Sequence, residues 1–375
     1  LLAPAALSLV TVTFHDPKER AKAFGVYGAV SGGGAAIGLL LGGVLTEYLS
    51  WRWCLLVNAP IALATVLMAI PWVHESKAHG DTRYDIAGAF TATLGLVSLV
   101  YAFTKAAPKG LQDSAHWTEP ATLFWFTAAA ILLTSFFVIE NRVTNPLLPM
   151  RVLLERNRGA SYLVSLITGI GLFAMFLFLG LYLQVILGYS PIKAGFAFLP
   201  FSIGIILGAG VAAQLLPRIG PKPLIVPGLI AGSVGLLLLT RLTPSSSYTS
   251  EVLVPMLIIS VGMAFVFIPV SSTGLHGISH HDAGVASAMI NTSQQVGGSL
   301  GTALLNTVAV TASAAYLTAN KSLGQAATPL ALTEGYTRAF AAGAGFLFVA
   351  AVVAMFMLKV GKEAVQEEDT PINVE

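Results

Sequence analysis

The chain has 375 residues and a net charge of +2, and only 10% of its residues are charged while 55% are hydrophobic. Its mean hydropathy is +0.78. So few charges cannot cover a water-soluble surface, the basic footprint of a nucleic-acid binder is missing, and a disordered chain would be far more polar, which leaves a polytopic all-α membrane protein.

A bilayer core of about 30 Å takes roughly 20 apolar residues per helix. That ruler predicts one partial span at 1–13 and ten complete spans. The complete spans are 23–45, 52–73, 86–106, 121–139, 159–183, 194–216, 223–241, 251–271, 284–313 and 335–358. The first residue is Leu1, not Met, and it already lies in an apolar stretch, so the chain reads as one whose beginning is absent. The single Cys54 excludes a disulfide framework and a thiolate metal cluster.

Glycines mark the first complete span. On a helical wheel Gly34, Gly38 and Gly42 fall within about 80° of one another, and Gly28, Ser31 and Ala35 widen that face to about 120°. Small residues let two backbones approach closely in lipid. The face predicts either tight static packing or a surface between moving helices. At the next boundary Trp51, Arg52 and Trp53 have the chemistry of a membrane interface. Pro60 after Asn58, Pro200 and Pro269 predict kinks within three spans. Asp85, Ser190 (followed by Pro191) and Asp282 precede spans and predict ordinary helix caps.

The span at 284–313 carries a polar stripe. Asn291, Gln295, Ser299, Thr302 and Asn306 occupy a face about 80° wide, bordered by Gln294 and Gly298. Amides facing lipid would lack partners, so this face predicts hydrogen bonds to another helix or the wall of a wet cavity. His276, His280 and His281 stand together in a short loop beside Asp282 and read as a solvated loop, with no second cluster to complete a metal site.

Lys and Arg alternate in density from loop to loop. Thirteen of the 20 lie in one set of loops, including Lys18, Lys77, Arg142, Arg151, Arg218 and Lys359. Arg52, Lys105, Lys109, Lys193, Arg241, Lys321 and Arg338 make up the other. The denser set predicts the cytoplasmic side, with the C-terminal tail inside. There is no phosphate-binding G-x-x-x-x-G-K-[ST] and no H-E-x-x-H, so neither nucleotide hydrolysis nor another enzymatic activity is expected. No cofactor or metal is expected either. Glu47, Glu140 and Glu251 sit at span ends and no charge sits near a span centre, which leaves the proton-coupling residue unknown.

These residues resemble a known family. Gly25, followed after eight residues by Gly34-x-x-x-Gly38-x-x-x-Gly42-Gly43, is similar to the antiporter motif on the fifth helix of the major facilitator superfamily, with Leu39 where that motif normally has proline. The run from Leu49 through Trp51-Arg52-Trp53 to Asn58-Ala59-Pro60 resembles the following loop and sixth helix of its fourteen-helix drug:proton antiporter branch. Tyr182-Leu183-Gln184 with Gly188-Tyr189-Ser190-Pro191, and Asp282-Ala283-Gly284 with Gln294-Gln295-Val296-Gly297-Gly298, are similar to later segments of that branch. Pro217-Arg218-Ile219-Gly220-Pro221-Lys222 is a weak echo of the family's gating loop, with Pro217 in place of the acid.

The resemblance implies the family's helical bundle, with the partial span as helix 4 and the complete spans as helices 5 to 14. It divides the chain into 1–73 (the end of the first six-helix half), 74–158 (loops and two inserted linker helices), 159–358 (the second half) and a cytoplasmic tail at 359–375. It implies a multi-pass protein of a bacterial plasma membrane that exports drugs or other lipophilic small molecules in exchange for protons, without nucleotide or nucleic-acid partners. Gly25, Gly34, Gly38, Gly42 and Gly43 would form the motif face. Asn58, Gln184, Asn291, Gln294, Gln295 and Asn306 would line the cavity or its gates. A metabolite exporter or uniporter on the same fold, or a non-transporting sensor or scaffold, remains an alternative.

Overall fold

The computed structural model describes residues 40–72, 85–108, 116–278 and 282–359, with isolated positions between 13 and 38. The described residues are helical and contain no strand. Helix α1 covers 40–48. It is followed by α2 (Trp51–Leu56), α3 (Asn58–Trp72), α4 (Ile86–Ala106), α5 (Pro120–Glu140), the short α6 (Met150–Leu153) and α7 (Arg156–Leu181). Then come α8 (Pro191–Ile219), α9 (Lys222–Leu239), α10 (Val254–Leu275), α11 (Ala283–Ala319) and α12 (Ala327–Met357). A π-helical turn, Tyr182–Ile186, extends α7, and another, Tyr248–Leu253, leads into α10. Among the described residues nine helical segments are long and apolar enough to cross a membrane, counting α2 with α3.

Most predicted boundaries lie within a few residues of the helix ends. Two differences have local causes. The span expected at 52–73 breaks at Val57. Proline cannot donate to the preceding turn and its ring crowds the carbonyl four residues back; Pro60 imposes this next to Asn58, whose amide donates to Cys54 O at 3.1 Å and Leu55 O at 3.3 Å. The last helix begins at Ala327 rather than 335, because Glu334 is neutralised by Arg338 one turn on at 2.7 Å and does not end it. By contrast α8 and α10 continue through Pro200 and Pro269.

Two of the three expected caps form. Asp85 accepts from Gly88 N–H at 2.7 Å and Ser190 from Lys193 N–H at 3.4 Å. Asp282 is a correction: it makes no side-chain cap for α11. Both of its carboxylate oxygens meet one nitrogen of Arg151, at 3.1 and 2.9 Å, so the charge pair 131 residues apart outcompetes the local cap.

Helices α7 to α12 share one core. Phe178, Leu179, Tyr182, Leu229, Met256, Ile259 and Phe340 are among its fully buried side chains. Within it α7 packs on α11 and α12, α9 on α10 and α12, and α10 on α8. The antiparallel pair α4–α5 packs chiefly on itself, and α4 also touches α11. Among the described residues of 51–71, α2 and α3 bury none.

The contacts that tie helix ends join positions that the loop charges assign to the same side. At one side Glu47 meets Ile192 and Tyr182 Oη donates to Thr243 O at 2.6 Å. At the other Arg151 meets Asp282, and Arg156 donates to the carbonyls of Phe356 and Met357 at 2.7 and 2.9 Å. The predicted up-and-down alternation and the packed structure agree.

Candidate functional site

Helix α11 is oriented by its glycines. A Cβ on Gly301 would lie 2.6 Å from Ile170 Cα, a Cβ on Gly297 would run into Leu166 O, and one on Gly169 would lie 2.6 Å from Gln294 O. The α7 and α11 backbones therefore touch with no room for a side chain between them. On the wheel this seam lies about 140° from the centre of the polar stripe. Packing α11 through Gly297 and Gly301 thus turns Asn291, Gln295, Ser299, Thr302 and Asn306 away from α7, while Gln294, about 40° from the seam, stays at its edge.

Gln295 and Thr302 are exposed, while Asn291, Gln294, Ser299 and Asn306 are half-buried. The bonds this face makes stay inside its own helix: Asn291 Nδ2 donates to Ser287 O at 3.0 Å and Thr302 Oγ1 to Gly298 O at 2.9 Å. Among the described residues no hydrogen bond joins the stripe to another helix, so the interhelical expectation has no contact behind it there. From Asn291 to Asn306 the stripe is about 22 Å long, most of a hydrocarbon core. It offers amide donors and acceptors through that depth, and it is positioned by a seam that leaves it no freedom to rotate inward.

At the C-terminal end of α1 the chain makes a second close approach. A Cβ on Gly43 would lie 2.8 Å from Pro191 O and 3.0 Å from Ile192 Cα. One turn on, Glu47 Oε2 accepts from Ile192 N–H at 3.0 Å. The first turn of a helix exposes unpaired N–H groups and a partial positive charge. At α8 Pro191 has no N–H, Glu47 takes that of Ile192, and Ser190 takes that of Lys193. Lys193 Nζ sits 3.8 Å above the Tyr189 ring and closes the same corner.

The other motif glycines are placed differently. Among the described residues a Cβ at Gly34, Gly38 or Gly42 would meet nothing within 4 Å, so among the described motif glycines close approach falls on Gly43. Gly25 lies outside the described residues, as do His280 and His281 of the histidine loop. Asn58 is exposed and spends its amide on the break before α3. Gln184 is exposed in the π-turn after α7. Neither shares a hydrogen bond with the α11 stripe among the described residues. Among these residues no group of three or more His, Cys, Asp or Glu is arranged to hold a metal ion.

Sequence reading missed the seam glycines Gly297 and Gly301, although their G-x-x-x-G spacing carries the signal. It also missed the partners of Glu47 and Asp282. No local pattern connects residues 145 and 131 positions apart.

Comparison with known proteins gives consistent results. The Major Facilitator Superfamily profile matches residues 1–302. The chain is 45% identical over 369 residues to the puromycin resistance protein of Streptomyces alboniger, covering 98% of this chain and 72% of that one. It is 33% identical over 357 residues to the cephamycin export protein of Amycolatopsis lactamdurans, covering 94% and 70%. Among solved structures, a bacterial homologue of the human lysosomal transporter Spinster superposes with a TM-score of 0.50 at 14% identity, over 97% of this chain and 74% of that one; this likeness concerns the fold.

Proposed function

The chain belongs to the Major Facilitator Superfamily and is a secondary transporter, and on that premise we propose that it exports lipophilic organic molecules, antibiotics among them, in exchange for protons. The supporting observation is the stripe Asn291–Gln295–Asn306, on the side of α11 away from α7 and bonded to no other described helix. An otherwise apolar cavity with a few amides orients lipophilic molecules that carry scattered polar groups. Two of the relatives are named for puromycin resistance and cephamycin export.

Transport proceeds by alternating access to a site near the midplane. The Gly43–Glu47 contact with α8 is the outer closure, broken when the site opens outward. The Gly34, Gly38 and Gly42 face is free to take a neighbouring helix during that movement. Protons arrive from outside, and the tail after α12 lies in the cytoplasm of a bacterial cell. A specific second reading comes from the cephamycin relative: the physiological substrate is a metabolite made by the cell itself.

Accumulation of puromycin in an efflux-deficient bacterial host tests the proposal. Cells carrying the full-length form should hold less drug than control cells, and collapsing the proton gradient should erase the difference. Unchanged accumulation of puromycin and of a panel of lipophilic dyes would refute drug export. Export that survives collapse of the gradient would refute proton exchange.

A further inference from the structure

The inner ends of α4 and α5 bring two carboxyl groups together. Asp85 begins α4 and Glu140 ends α5. Each has one oxygen held by a backbone N–H: Asp85 Oδ1 by Gly88 at 2.7 Å, Glu140 Oε2 by Leu148 at 3.0 Å. Each has one oxygen left, and among the described residues neither Asp85 Oδ2 nor Glu140 Oε1 has a donor, though both are buried. Both leftover oxygens border one small space made by the missing side chain of Gly88. A Cβ there would collide with Asp85 Oδ2 and lie 2.9 Å from Glu140 Oε1. Glu140 as a whole is only 3% exposed.

Two ionised carboxylates are acceptors only and cannot satisfy one another. We propose that Asp85 and Glu140 form a proton-binding site that holds a single proton between Oδ2 and Oε1 at neutral pH. One proton turns two facing acceptors into a donor and an acceptor and removes one of two like charges. Among the described residues the charge environment leaves this to the pair. Helix α11, the neighbour of α4, has no Asp, Glu, Lys, Arg or His from 283 to 319. The remaining acidic and basic residues of the described α4 and of the α5 entry, Lys105 and Glu119, lie at the opposite ends of those helices. On the connector Arg142 is exposed, and on α6 Arg151 is engaged with Asp282. A hard metal cation would want six or more oxygens, whereas this space presents the two leftover ones. The bound proton joins both ends of the α4–α5 hairpin and, through Leu148, fixes the connector that leads to α7.

Infrared difference spectroscopy on the full chain in lipid vesicles tests this directly, without any transport assay. At neutral pH, wild type minus E140Q should show one carboxylic-acid carbonyl band. Wild type minus D85N should show the same band, because an Asn donor lets Glu140 ionise. Both amide variants keep a donor–acceptor pair in the site and should melt close to the wild type, whereas E140A, which orphans Leu148 N–H, should melt lower. A missing band in either difference spectrum overturns the shared proton. A band whose pH midpoint shifts with added sodium, potassium or calcium at constant ionic strength overturns it in favour of a metal-cation site.

Discussion

Glu47 and Ile192, 145 residues apart, are joined by a 3.0 Å hydrogen bond from the first turn of α8 to the carboxylate at the end of α1. The bond is exposed, so its contribution is about 0.5–1 kcal/mol, the range for a charge at a helix N-terminus. E47Q should therefore shift the balance between closed and open outer ends roughly two- to fivefold toward open. Spin labels at Val44 on α1 and Phe196 on α8, both exposed, should show a correspondingly larger long-distance population in E47Q. An unchanged distance distribution would remove Glu47 from the closure.

Gly38 and Gly301 should respond in opposite ways to leucine. Gly301 faces the α7 backbone at 2.6 Å, and a Cβ at Gly38 meets nothing within 4 Å. G301L should lower stability in detergent by about 1–3 kcal/mol, the usual cost of overpacking. G38L should insert and melt like the wild type and lose export only, because leucine blocks the helix that the open face receives. Thermal unfolding together with drug accumulation separates the two.

Asp282 is buried, with 8% of its side chain exposed, while its partner Arg151 is 70% exposed. That exposure places the pair well below a fully buried one, and R151A should cost about 1 kcal/mol. The swap R151D/D282R should recover part of the loss in melting temperature. A swap less stable than both single variants would show that the local geometry, not the charge pair, dominates.

The amide stripe makes no bond to another described helix, so N291L, Q295L and N306L should leave stability unchanged or slightly raised. Each should reduce puromycin export by up to about tenfold, the equivalent of one lost hydrogen bond to a substrate. Loss of folding without a change in specific export would return these residues to a structural role.

Orientation can be read from the two ends of the hairpins. Cysteines replacing Lys105 and Arg241 should react with an impermeant thiol reagent on intact cells. Those replacing Arg142 and Arg218 should react only after permeabilisation. The reverse pattern would invert the sidedness inferred from the loop charges.

The sequence shows the transmembrane segments because lipid demands long apolar runs, and each run is a local property. Asp85 and Ser190 were legible as caps for the same reason: a cap is decided within four residues. Asp282 was not, because Arg151 comes from another part of the chain. The α11 stripe was legible as a face, but which way it points depends on where Gly297 and Gly301 meet α7. Periodicity shows that two faces exist and does not say which one a neighbour covers. The pairing of Asp85 with Glu140 was hidden by the same limit, since each taken alone is an ordinary helix-end acid.

Helix α11 runs from Ala283 to Ala319, 37 residues, or about 55 Å of rod. Even leaning by about 40°, the steep end of the usual range, it would rise about 42 Å against a hydrocarbon slab of about 30 Å. A rod of this length therefore outreaches the hydrocarbon at any inclination in that range, and its joint to α7 at Gly297 and Gly301 leaves about 21 Å of helix on one side and about 27 Å on the other.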